Sequence, residues 1–146
     1  MISVSGNISS DLEIDVGTPQ GSRLSPLLFI CLMADMDLWI ENSKLSNFTD
    51  DTQSIIIHDN IEDAIEITKK EANNIIDFFG GNNLVNNPDK AALLFNSKGK
   101  GRDITVHDIG GENLTSTYSE KLLGLHLVFY FKLHSYILLP FLKFLY

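Results

Sequence analysis

Phe48-Thr49-Asp50-Asp51 decides how this chain is read. An aromatic and a small residue lead into two adjacent carboxylates. Lys44 to Phe48 on one side and Thr52 to Ile57 on the other read as β-strands, the second rich in residues that suit a pleated surface. Two short strands with polar residues between them make a hairpin, and the carboxylates then sit at its tip. Paired acids at a tip suit a hard divalent cation, because Mg²⁺ takes one or two carboxylates and fills its remaining positions with water and phosphate oxygens. Asp is also a common residue of solvated turns, so the weight of the reading rests on what surrounds the pair.

The whole chain has 146 residues, enough for one domain with a real core. Its hydrophobic share of 44% and charged share of 21% are ordinary for a globular protein. The net charge of −8 argues against a self-sufficient nucleic-acid binder, which draws much of its affinity from neutralising phosphates. Positive charge must be confined locally or come from other segments, unless the partner is something else. Cys31 is the single cysteine, which excludes an internal disulfide and a thiolate zinc site and fits a reducing compartment. The first residues lack the basic and apolar stretches of a signal peptide.

Outward from the hairpin, the pattern alternates strands and helices. Ile2 to Val4 and Leu12 to Val16 alternate apolar with polar and predict a strand pair. Gly17-Thr18-Pro19-Gln20-Gly21-Ser22-Arg23-Leu24-Ser25-Pro26 is a loop that ends in a helix start, with Ser25 as N-cap and Pro26 at the first helical position. The helix is expected from Pro26 to about Ile40 and, being apolar almost all round, to be buried. Beyond the hairpin, Asn60 caps a second helix. Its apolar stripe runs through Ile61, Ala64, Ile65, Thr68, Ala72, Ile75, Ile76 and Phe79, with Glu62, Glu66, Lys69, Lys70 and Glu71 on the wet face and Gly80-Gly81 as the stop. Ala91 to Phe95 reads as a strand, Ile104 to Ile109 and Glu112 to Leu114 as a hairpin around Gly110-Gly111, and Leu122 to Leu127 as a further strand. Mixed elements with short connections predict an α+β fold, an antiparallel sheet with two main helices packed on one face.

Gly17-Thr18-Pro19-Gln20-Gly21-Ser22, then Leu24-Ser25-Pro26-Leu27-Leu28-Phe29, then Phe48-Thr49-Asp50-Asp51, in this order and loop-helix-hairpin context, resembles the palm of reverse transcriptases, most nearly those of non-LTR retrotransposons. The resemblance implies an RNA-directed DNA polymerase (a nucleotidyltransferase) that uses Mg²⁺ or Mn²⁺ with an RNA template, a DNA primer and deoxynucleoside triphosphates. It also implies an intracellular setting, nuclear or cytoplasmic. By position, Asp50 matches the carboxylate that ligates catalytic Mg²⁺ and Asp51 its less directly engaged neighbour. Phe48 matches an aromatic position beside the nucleotide. Thr49 departs from the usual Ala, Met or Val. Gln20 and Gly21 match the loop against incoming nucleotide and template. Leu84-Val85-Asn86-Asn87-Pro88-Asp89-Lys90 resembles the next palm motif, with Lys90 as candidate general acid for the pyrophosphate, a role typically worth about 10²–10⁴-fold. Leu123 and Gly124, within Leu122-Leu123-Gly124-Leu125, resemble the motif that grips the primer end.

Two-metal nucleotidyl transfer needs carboxylates that bridge both ions, and the family supplies one of them from a strand well upstream of the Gly-Thr-Pro-Gln-Gly loop. Asp11 and Asp15 lie too close to that loop to fill the role. The upstream Asp and the basic fingers are therefore expected to be missing, and the chain by itself to be inactive. A non-catalytic nucleic-acid or protein-binding remnant and a small membrane-associated protein stay open as alternatives. His58, His107, His126 and His134 show no short ligand spacing. Lys98, Lys100 and Arg102 make a glycine-rich basic turn, read as solvated. The resemblance covers residues 1–127. Residues 128–146 form an apolar tail outside the family pattern, expected to pack on the palm sheet or drive aggregation. A membrane span is the lesser reading, since a Lys near the middle of a spanning helix costs about 2.5–3.5 kcal/mol.

Overall fold

The computed structural model describes residues 3–4, 7–8, 17–19, 21–49, 51–96, 103–117, 119–122, 125–128 and 136–145. The fold is α+β. The chain divides into two compact units, Met1–Ala34 and Asp35–Tyr146.

In the first unit, β1 (Ser3–Val4) pairs antiparallel with β2 (Asn7–Ile8). The expected partner strand, residues 12–16, lies outside the described residues. Helix α1 (Ser25–Met33) is shorter than the sequence predicts, and a separate 3₁₀ turn, Met36–Trp39, follows it in the second unit. Pro26 is in the first turn as expected, but Leu24 is the N-cap and no side chain caps the helix. The Ser25 hydroxyl instead donates to the Pro19 carbonyl, and Ser22 Oγ accepts from the Leu24 N–H, so both serines hold the loop rather than the helix end. The predicted burial of α1 is also wrong. Leu24, Leu27, Leu28 and Ile30 are all exposed, Ile30 to 63%. Apolar content raises the benefit of burial but does not supply a surface to be buried against.

The second unit is a sheet with one long helix. Strands β3 (Lys44–Phe48) and β4 (Asp51–His58) form the predicted hairpin. Helix α2 (Ile61–Gly81) follows, then β5 (Val85–Asn86), a 3₁₀ turn at Pro88–Lys90, and β6 (Ala92–Asn96). A second hairpin, β7 (Thr105–Ile109) and β8 (Glu112–Thr117), is succeeded by β9 (Ser119–Leu122), β10 (Leu125–Val128) and β11 (Tyr136–Leu145). β9 and β10 pair only with each other. The main sheet runs β3-β4-β11-β6-β8-β7, with β5 also on β11. All its pairings are antiparallel except β6 with β8. Within the apolar C-terminal segment, Tyr136–Leu145 thus does not lie on the sheet but enters it between β4 and β6. β4, α2 and β6 form a split β-α-β unit with β11 running through the split.

Helix α2 follows from its sequence. The Asn60 side chain accepts from the N–H groups of Glu62 and Asp63, and those two acids complement the helix dipole. Ala64, Thr68, Ala72, Ile75 and Phe79 recur every three or four residues and are all buried; α2 packs across β4, β11 and β7. Ile56, Leu93, Leu94, Val106 and Ile109 complete the core from the strands. The helix ends at Gly81, as expected, but the left-handed residue of the stop is Asn83, φ +57°, rather than a glycine; the Leu84 N–H reaches the Phe79 carbonyl and the Asn83 N–H reaches the Gly80 carbonyl. That pair of bonds is a Schellman motif, which satisfies carbonyls the helix end leaves open.

Glu71 overturns its assignment to the wet face. It is fully buried, and its carboxylate accepts the backbone N–H groups of Glu41 and Asn42 and the Asn42 amide. Next to it, Lys70 pairs with the Glu41 carboxylate at the surface. That hydrogen bond holds the Glu41 carboxyl below its ordinary value of 4.5 and Lys70 above its ordinary 10.5. The pair's small contribution is present between those two values, fades as pH falls through the lowered carboxyl pKa, and fades again as pH rises through the raised ammonium pKa.

Asn73 ties the other hairpin to the same helix: its amide donates to the Asp108 carbonyl and its carbonyl accepts from the Gly110 N–H. Gly110 takes φ +60°, where a side chain is strained, and a Cβ there would lie 2.9 Å from Ile76 Cδ1, the tip of a side chain that must shift to admit it. Gly110→Ala is expected to destabilise the protein by about 1–2 kcal/mol, read as a lower urea midpoint with unchanged slope. Glu71→Ala strands two backbone N–H groups and is expected to cost about 2–4 kcal/mol in the same measurement, with Glu71→Gln losing less because one acceptor remains.

Candidate functional site

Phe48 and Asp51 are directly paired across the hairpin, so Thr49 and Asp50 are its two-residue loop. Two-residue hairpin loops match the strand twist when the first loop residue has positive φ. Thr49 meets that requirement at φ +51°. A β-branched residue is unfavourable there, and the backbone strain is stored at the candidate site. The Thr49 hydroxyl donates to the Phe48 carbonyl at 2.7 Å, a local bond that offsets part of the cost. Phe48 is 57% exposed, and Asp51 is half-buried at the start of β4. Asp50 lies outside the described residues.

The base of the hairpin is held firmly. Ser54 Oγ and Ser43 Oγ are 2.7 Å apart across it, and the Glu71 carboxylate binds the two residues just before Ser43. The tip end is organised by β11. Lys143 is in register with Asp51, and Leu142 with Thr52. On the other side of β11, Phe144 is in register with Asn86 and Leu145 with Val85. The 3₁₀ turn Pro88–Lys90 also contacts β11. The hairpin tip and the segment leading to Lys90 therefore flank the same end of one strand, although Thr52 and Val85 are far apart in sequence. The Asn87 side chain accepts from the Asp89 N–H and fixes the start of that turn, which leaves Lys90 exposed. Two buried oxygens in this region, Thr52 Oγ1 and Asn86 Oδ1, have no hydrogen-bond partner among the described residues. Buried polar atoms are normally satisfied, so these two side chains stand out, and sequence reasoning missed them. No sequence signal marks them, because only β11 brings their strands together.

Gly21 belongs to the first unit and takes φ +82°, a conformation glycine adopts at no steric cost. Gln20, Leu123 and Gly124 lie outside the described residues, as do Lys98, Lys100 and Arg102. Among the described residues no group of three His, Cys, Asp or Glu side chains is able to hold a metal ion. No helix among the described residues is long and apolar enough to cross a membrane.

Thr49→Gly removes the strained β-branched residue from the turn. It is expected to raise stability by about 1 kcal/mol, measured as a higher melting temperature. Family models, curated proteins and solved structures were each compared with the chain, and none matches it.

Proposed function

We propose that the chain is a palm module of reverse-transcriptase type, able to hold Mg²⁺ at its hairpin tip and inactive as a polymerase by itself. The observation that carries this reading is the Phe48–Asp51 pairing, which leaves Thr49-Asp50 as a two-residue loop with an acid on either side of its end. The α+β setting, with α2 packed across the strand that follows the loop, supports it. In the module, Asp50 and Asp51 would bind one ion, which supplies charge neutralisation for a triphosphate. Phe48 offers an exposed aromatic surface to a base or sugar. Lys90 lies at the same end of β11 and is accessible to donate a proton to a departing pyrophosphate. Gln20 and Gly21, in the first unit, are assigned to nucleotide and template by the resemblance alone.

The proposed inactivity rests on the donor set that the resemblance assigns to the tip. Two carboxylates at one tip steady a single ion, whereas activating a primer hydroxyl and a leaving group together takes a second bridging acid. The net charge of −8 favours the companion reading of a non-catalytic module whose hold on primer-template is weak and sensitive to salt.

A primer-extension assay on an RNA template with Mg²⁺ or Mn²⁺ is expected to show no product. Template-dependent synthesis that vanishes in Asp50→Ala would overturn the inactivity. Paramagnetic Mn²⁺ titration is expected to detect weak binding, lost in the Asp50→Asn, Asp51→Asn double variant; equal binding by that variant would sink the metal reading.

A further inference from the structure

We propose that the turn Met36–Trp39 is a docking knob for a basic amphipathic segment of a partner protein. Leu38 and Trp39 form its apolar point, and Asp35, Asp37 and Asp77 its acidic rim. All five residues belong to the second unit.

Three observations carry it. The first is a pair of large apolar side chains, adjacent and in solvent. Leu38 is 82% exposed and Trp39 47%. A single exposed leucine is ordinary, but leucine beside tryptophan makes a contiguous patch, and tryptophan is enriched at the energetic centres of protein interfaces.

The second is that the point is held outward. Met36 is fully buried and pins the front of the turn. Behind it, the Asn74 amide donates to the Trp39 carbonyl at 3.0 Å, the Trp39 ring meets Phe78 edge-on, and the buried Glu71 carboxylate accepts the N–H groups of Glu41 and Asn42. Turning Leu38 inward would break these bonds. A point fixed in this way loses little conformational entropy when a partner closes over it.

The third is charge, which selects the occupant. Asp35 precedes the turn without capping it, Asp37 lies inside it, and both are exposed. Asp77 is exposed three residues past Asn74, on the same side of α2. The lysines of α2 do not neutralise this rim, because Lys70 is engaged with Glu41 and Lys69 with Asp108. A Lys or Arg from a partner gains opposite charge at the rim and also the open face of Trp39, which attracts cations. A Leu or Phe on the same segment covers Leu38. A second copy of this chain fits poorly, since a two-fold contact sets acid against acid in a chain of net charge −8. An anionic membrane surface is repelled for the same reason.

Trp39 is the only tryptophan, so the emission of the full chain reports this site directly. The chain is titrated with a helical peptide of Leu and Lys in amphipathic period, with analogues carrying Gln or Glu in place of Lys, and with phosphatidylcholine vesicles. The Lys peptide is expected to shift Trp39 emission to the blue and to saturate, and the Gln and Glu peptides to bind progressively more weakly. Leu38→Ser is expected to weaken the Lys peptide about tenfold. The Asp35→Asn, Asp37→Asn double variant is expected to weaken it about threefold to tenfold. A Glu62→Gln, Glu112→Gln control removes the same charge from exposed acids on other elements and is expected to stay within about twofold of the native chain. Melting curves check that each variant is folded. No shift with the Lys peptide, weakening by only one of the Leu38 and Asp35–Asp37 changes, or equal weakening by the control pair would overturn the proposal. A shift on vesicles alone would give the knob to a lipid surface, and emission that changes with protein concentration alone, together with a dimer in sedimentation, would give it to a second copy; either result also overturns it.

Discussion

One buried carboxylate sets the geometry of the second unit. Glu71 sits on the inner face of α2, out of contact with water, and accepts the N–H groups of Glu41 and Asn42. A buried charge without such partners is severely destabilising, so helix, turn and hairpin base must form together or not at all. Around this bond the same two segments meet again. The Asn74 amide donates to the Trp39 carbonyl, and the Trp39 ring meets Phe78 edge-on at 6.0 Å. The entry to β3 is thus anchored to the middle of α2, and the direction in which the hairpin projects is fixed from its base.

A firm base is what permits a strained tip. Positive φ at Thr49 is unfavourable for a β-branched residue, and it persists because β3 and β4 pair without a break from Lys44–Ile55 to Phe48–Asp51. The acids are presented where the ladder ends, beside an exposed aromatic ring. Such a tip is suited to binding from solvent rather than to packing. Its surroundings, however, are not set by the hairpin alone. β11 enters next to β4, in register with it as far as Asp51. Local sequence therefore makes the acidic turn, and a strand from the far end of the chain becomes its neighbour.

Much of the fold is legible from residue order. Asn60 as a cap, the stripe from Ala64 to Phe79 and the glycines at 110–111 each act within a few residues, through capping bonds, helical period and positive φ, and each produces the element it predicts. The hairpin around Asp50 is legible for the same reason. The failures have a common cause. The Ser25 hydroxyl had two acceptable uses, a cap or a loop bond, and the position of Pro19 decided for the loop. Glu71 is charged and falls near the edge of the apolar stripe, so period alone assigns it to water; the stranded amides of residues 41 and 42 bring it inside.

The tail makes the division plainest. Tyr136 to Leu145 is apolar apart from Lys143, and a run of that kind fits a strand inside a sheet as well as it fits a helix or a surface segment. Its strand identity, its place between β4 and β6 and its register depend on a gap created by the β4-α2-β6 crossover, which no local pattern encodes. By itself the sequence determined the α2 cap and stripe, the two hairpins, the α+β class and the presence of two acids in one tight turn, because short-range hydrogen bonding and periodicity suffice for these. Only the tertiary structure decided which carboxylate is buried, which strand lies beside the acidic turn and that Thr52 and Asn86 share its flank, because long-range pairing follows from the space left by other elements.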